Sequence, residues 1–79
     1  MEDTFTKTIG SVTLGNRMVY GRELPVRNVV KEYFNSQSGR TEWILIYGVC
    51  DGITSGSQRF ASREEALGAL KEFYSFEED

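Results

Sequence analysis

The chain has 79 residues, 39% of them hydrophobic and ten of them aromatic, with a formal net charge of −3. That is enough apolar surface for one domain near the lower size limit of a self-sufficient core, and too much for a disordered chain. With no histidine and a single cysteine, the chain has no Ser-His or Cys-His dyad, no internal disulfide and no structural zinc site.

Residues 1–79 read as a single domain, with 1–4 and 76–79 as loose ends. Phe5 to Leu14, rich in Thr, Ile and Val, reads as a strand. Its apolar phase shifts between Ile9 and Val12, and Gly10 between them predicts a bulge. Gly15-Asn16 is a two-residue turn signal, after which Arg17 to Arg22 returns as a second strand. Gly21 to Pro25 breaks the pattern, and Pro25 suits a sheet edge or a strand entry. Val26, Val29, Val30, Tyr33 and Phe34 have helical spacing, so a helix competes with a strand over Val26 to Phe34. The β-branched and aromatic content favours the strand. So does the hairpin signature from Tyr33 to Trp43, in which Gly39 is placed for the positive φ that closes the loop.

The richest stretch is Thr41 to Cys50. Alternation puts Trp43, Leu45, Tyr47 and Val49 on one face and Ile44, Ile46 and Cys50 on the other. Both faces are apolar, the pattern of a central strand covered on both sides. Asp51-Gly52 is a second tight-turn pair leading into Ile53 to Phe60, where Gly56 limits the useful strand to Ser57 to Phe60. Ser62-Arg63-Glu64-Glu65 is a capping box, and Glu64 and Glu65 suit the positive end of a helix dipole. The predicted helix runs from Arg63 to Tyr74 with Ala66, Leu67, Leu70, Phe73 and Tyr74 on one stripe. The expected fold is therefore α+β: an antiparallel β-meander of about five strands with one C-terminal α-helix packed on one face. The other face is left for solvent, a second copy or a partner.

No catalytic constellation emerges, and the expectation is a protein that is not an enzyme, with no catalytic, cofactor-binding or metal-ligating residues. Cys50 alternates with Ile44 and Ile46 as a packing residue. Charge is uneven: residues 1–63 carry eight basic and six acidic residues, while residues 64–79 carry Lys71 against six acids. Two surfaces follow. One is acidic, with Glu64, Glu65, Glu72 and Glu77, suited to a basic partner. The other is basic and aromatic, in which Tyr33, Arg40 and Trp43 stand among Arg17, Arg22, Arg27, Lys31, Arg59 and Tyr20 and could stack bases and neutralise phosphates. No basic leader with an apolar core and no membrane-length apolar run is visible, so the cytoplasm of a host cell is the expected location.

The stretch from Tyr33-Phe34-Asn35 through Gly39-Arg40-Thr41 to Trp43 is similar to the central hairpin of WW domains. That family's first Trp and closing Pro are missing, so proline-rich recognition is not implied. The ending Arg59-Phe60-Ala61-Ser62-Arg63-Glu64-Glu65-Ala66 with Leu70 resembles the strand-then-helix close of small phage-encoded inhibitors of the anti-CRISPR kind and of the arm-binding domains of phage integrases. The resemblance implies a stoichiometric inhibitor that occupies a working surface of a larger bacterial complex, often one acting on nucleic acid. The leading expectation is thus a non-enzymatic protein-binding module without cofactors, with homodimerisation as a further use of the free sheet face. A small nucleic-acid-binding domain using the basic and aromatic sheet is the alternative.

Overall fold

The computed structural model describes residues 6–78. In chain order it contains β1 (Thr6–Val19), β2 (Arg22–Asn35), β3 (Arg40–Val49), β4 (Gly56–Phe60), α1 (Arg63–Lys71) and β5 (Glu77–Glu78). The strands form one antiparallel sheet in the order β4-β3-β2-β1-β5. Residues 1–4 and Asp79, expected as loose ends, lie outside the described residues, as does Phe5.

The first hairpin is longer than the turn signals suggest. β1 runs straight through Gly15-Asn16, which forms no turn; the register with β2 slips there, between Thr13 and Gly15, and again between Thr8 and Gly10. The second slip is the bulge expected at Gly10. A bulge absorbs one extra residue without reversing the chain, so the Gly15-Asn16 pair bends β1 instead of ending it. The reversal falls at Tyr20-Gly21, where φ is 50° and 78°, the two left-handed residues of a type I′ hairpin turn. Arg17 to Val19 therefore belongs to β1, and Gly21 to Pro25 is no break: Pro25 lies within β2, opposite Asn16.

Val26 to Phe34 is strand throughout, within β2. The following loop matches its signature. Asn35 Oδ1 accepts from the Gln37 amide at 3.0 Å, Gly39 N–H donates to the Asn35 carbonyl at 2.8 Å, and Gly39 has φ 71°. Asp51 and Gly52, at φ 52° and 80°, close the next reversal between the bridged residues Cys50 and Ile53.

The sheet's middle strand is β2, not the Thr41 to Cys50 stretch, which lies one place off centre. β3 is also broken in phase. Ile46 lies opposite Val29 and Val49 opposite Arg27, with a register slip between them. Gly48 makes the slip, with φ 63° and its amide donating to Asn28 Oδ1 at 2.9 Å. Val49 is thereby carried from the face of Trp43, Leu45 and Tyr47 to the face of Ile44 and Ile46, since opposed residues share a face.

The core is one cluster: Ile9, Val12, Val30 and Leu45 from the sheet with Ala66, Leu67 and Leu70 from α1, and Trp43, Tyr47, Phe60, Ala69 and Phe76 around it. Gly10 permits the close approach, because a Cβ there would stand 2.7 Å from Leu67 Cδ2. α1 begins as read: Ser62 is the N-cap and its Oγ accepts from the Glu65 amide at 3.1 Å. It ends one turn early, at Lys71. The Phe73 amide donates to the Leu70 carbonyl at 3.0 Å and the Phe76 amide to the Phe73 carbonyl at 3.1 Å, so the chain winds tighter and turns back toward the sheet. Phe73 and Tyr74 consequently leave the stripe and are exposed, and Phe76 packs against the cluster. Ser75 Oγ then accepts from the Thr13 amide and donates to the Thr13 carbonyl. Glu77 and Glu78 pair with Ser11 and Gly10 as β5. Within the stretch 76–79, expected as a loose end, Glu77 and Glu78 are thus held in a strand.

Candidate functional site

The register divides the sheet's side chains cleanly. On the cluster face, Gly10, Val30, Leu45 and Gln58 form one cross-strand row, and Lys7, Glu32, Trp43 and Phe60 form the next. On the other face, Ser11, Val29, Ile46 and Ser57 form a row, then Thr8, Lys31, Ile44 and Arg59, then Thr6, Tyr33 and Glu42. Arg27 and Val49 add a row at its end. The buried residues of α1, Ala66, Leu67 and Leu70, all belong to the cluster; the open face is the one with no residue in that cluster.

At the centre of the open face are Val29, Ile44, Ile46 and Val49, all half-buried. Their neighbours on the sheet are Arg27, Lys31 and Arg59. Among the described residues the ion pairs within 4.0 Å join Glu32 to Lys7 and Arg63, and Arg63 to Glu78. None of them engages the cations of the open face. The result is an aliphatic centre flanked by three cations, with Glu42 and Glu77 on the same face.

At one end of this face the Tyr33 hydroxyl donates to Glu42 Oε1 at 2.6 Å. This bond raises the pKa of Tyr33, aided by burial, because losing the proton would break it. The same bond holds the Glu42 carboxyl below its usual range, with Arg59 and Arg40 contributing attraction. Glu42 lines an open depression of about 300 Å³ together with Arg40, Thr41, Arg59, Phe60 and Ala61. The two arginines attract the carboxylate without forming an ion pair with it, and together they outnumber it in the lining of the depression.

The sequence-derived site residues scatter. Tyr33 and Arg40 lie at this end of the open face. Trp43 does not join them: it is on the cluster face, half-buried, with Nε1 donating to Glu32 Oε2 at 2.9 Å. The basic and aromatic surface therefore loses its largest stacking ring. Arg17, Tyr20 and Arg22 are removed from it as well, to the far end of the β1–β2 hairpin. The acidic set is also divided. Glu64 and Glu65 are in the first turn of α1 and Glu72 is at its C-cap. Glu77 lies opposite Ser11, in the row of Val29 on the open face. Glu78 is occupied by Arg63, at 3.3 Å. Cys50, read as sharing a face with Ile44 and Ile46, is buried but lies past the Gly48 slip.

The residues that make the open face coherent, Val29, Ile44, Ile46 and Val49, were not singled out as a site. Their signal was the alternation Val29-Lys31-Tyr33 against Glu42-Ile44-Ile46, legible once Val26 to Phe34 is fixed as a strand. Among the described residues no group of three or more Cys, Asp or Glu side chains is arranged to hold a metal ion, and no helix is long and apolar enough to cross a membrane. No family model, curated protein or solved structure matches this chain.

Proposed function

We propose that this chain is a non-enzymatic protein-binding module that docks through its open sheet face, with α1 closing the cluster face as a second layer. The partner surface is apolar at its centre and acidic at its edge. One observation carries this reading: Val29, Ile44, Ile46 and Val49 form a half-buried aliphatic centre, with Arg27 beside Val49 and Lys31 and Arg59 on either side of Ile44. Protein interfaces have this anatomy, an apolar middle that excludes water and a polar rim that sets register and on-rate.

The module acts stoichiometrically, by occupying a surface of a larger bacterial complex that handles nucleic acid; the strand-then-helix likeness to phage inhibitors supports this part. Direct stacking of bases on the open face is disfavoured, because Trp43 is on the other side and the Tyr33 hydroxyl is tied to Glu42. The test is capture of partners from a nuclease-treated bacterial lysate, followed by binding of the identified protein to two variants. Loss with Lys31→Glu/Arg59→Glu and retention with Glu64→Lys/Glu65→Lys/Glu72→Lys is expected. The opposite result would move the binding surface to the acidic helix.

A further inference from the structure

The β1–β2 hairpin outruns the rest of the sheet. β3 pairs with β2 only from Arg27 onward and β5 pairs with β1 only at Gly10 and Ser11. Gly15–Val19 and Arg22–Val26 therefore pair with each other alone, as a two-stranded arm about 17 Å long at ~3.3 Å per residue. Pro25 helps to keep it two-stranded, since it offers no N–H to an additional neighbour.

The arm is built to touch something. Tyr20 at its tip is 97% exposed and Met18 is 66% exposed. Tyr20 also holds a positive φ, where Asn or Gly is the usual occupant, so the turn geometry does not account for a tyrosine there. The register puts Arg17 and Arg22 on one side of the ribbon, opposite Leu24 and Val19, while the arm's one acid, Glu23, faces the other way beside Met18. The acidic residues of α1 and β5 are carried on the body. The arm thus carries two cations against one acid, while Glu64, Glu65, Glu77 and Glu78 lie outside it.

We infer that the arm enters the major groove of duplex DNA, with Arg17 and Arg22 directed into the groove and Tyr20 leading at the tip. The dimensions agree: a two-stranded ribbon fits a B-form major groove about 12 Å wide and ~8.5 Å deep, and the arm is longer than that depth. Guanidinium groups suit both phosphate oxygens and the acceptor edge of guanine. The narrow major groove of A-form RNA does not admit such a ribbon. This inference does not depend on the open face, and it gives the molecule a second contact, to nucleic acid, beside the one to protein.

The experiment is fluorescence anisotropy with a labelled 20-base-pair DNA duplex of mixed sequence, repeated with an RNA duplex of the same sequence. With about two phosphates neutralised, affinity for DNA should fall roughly tenfold between 50 and 200 mM salt. Arg17→Ala/Arg22→Ala should lower affinity at 50 mM salt at least about tenfold and flatten the salt dependence. The charge-matched control Lys7→Ala/Lys71→Ala should change little, and circular dichroism should show all variants folded. Equal loss in the control would reduce the effect to net charge and overturn the inference. So would equal affinity for RNA, or the absence of any DNA binding at low salt, the result expected of an arm that holds protein.

Discussion

Tyr20 offers a sharp test of whether the arm's turn is strained. Its φ of 50° places a side chain with a Cβ in the left-handed region, which costs roughly 1–2 kcal/mol for most residues and less for Asn. Packing returns nothing, since the ring is 97% exposed. Tyr20→Asn should therefore raise the unfolding free energy by about 1 kcal/mol, or lift the thermal midpoint by about 4–8 °C in a domain of this size. Tyr20→Ala keeps both the Cβ and the φ, so it should stay within ~0.5 kcal/mol of the parent. Tyr20→Gly relieves the φ but frees the unfolded chain by ~0.5–1 kcal/mol, and should fall between the two. Thermal and urea unfolding followed by circular dichroism would rank the three variants. If Ala stabilises as much as Asn, the exposed ring and not the backbone was the burden, and the strain argument fails.

Other expectations follow from the core and the Tyr33–Glu42 pair. Leu70→Ala removes a fully buried side chain from the cluster and should cost about 2–5 kcal/mol in urea unfolding, whereas Tyr74→Ala should stay within ~0.5 kcal/mol. Gly48→Ala combines a φ of 63° with a Cβ only 2.5 Å from Ser55 Oγ. It should lower stability by roughly 2 kcal/mol or more, and Ser55→Gly added to it should restore part of that loss. The pH dependence has a definite sign. Glu42 is depressed below 4.5 when folded, so its contribution is present above that value and lost as pH falls through the folded pKa. Tyr33 is raised above 10.0, so its contribution is present below that value and lost as pH rises through the folded pKa. The stability difference between the parent and Tyr33→Phe, measured by urea unfolding, should accordingly be flat from about pH 5 to 9 and shrink on either side. A difference that does not vary with pH would show that the hydrogen bond is not coupled to either ionisation.

The elements that local chemistry specifies were legible in the chain. The capping box at Ser62, the reversals at Gly39 and Asp51-Gly52 and the bulge at Gly10 each depend on a few adjacent residues, and each is where the spacing put it. What escaped depends on partners distant in sequence. Gly15-Asn16 has the composition of a turn, yet β2 runs alongside and holds it extended, and the true reversal uses Tyr20, a residue no turn preference would select. Glu77 and Glu78 look like a solvated tail until the edge of β1 is there to pair with them. Strict alternation misplaced Val49 because the Gly48 slip shows only in the pairing. The candidate site suffered likewise. Trp43 was grouped with Tyr33 by composition, but positions 33 and 43 fall on opposite faces once Tyr33 is matched to Glu42 and Glu32 to Trp43.

The position of β5 also bears on the order in which the molecule can assemble. β1 to β4 form a meander in which every strand pairs with its neighbour in sequence, so those contacts can close early and locally. The β1 edge at Gly10 and Ser11 waits for Glu77 and Glu78, after the chain has passed from the β4 edge across to the opposite side of the sheet. Until then that strand edge has unpaired backbone groups, the condition under which nascent sheets join the wrong chain. The ties from Ser75 to Thr13 and from Arg63 to Glu78 make that closure a late, long-range step. Slowing it should show first as concentration-dependent loss during refolding rather than as a lower melting point.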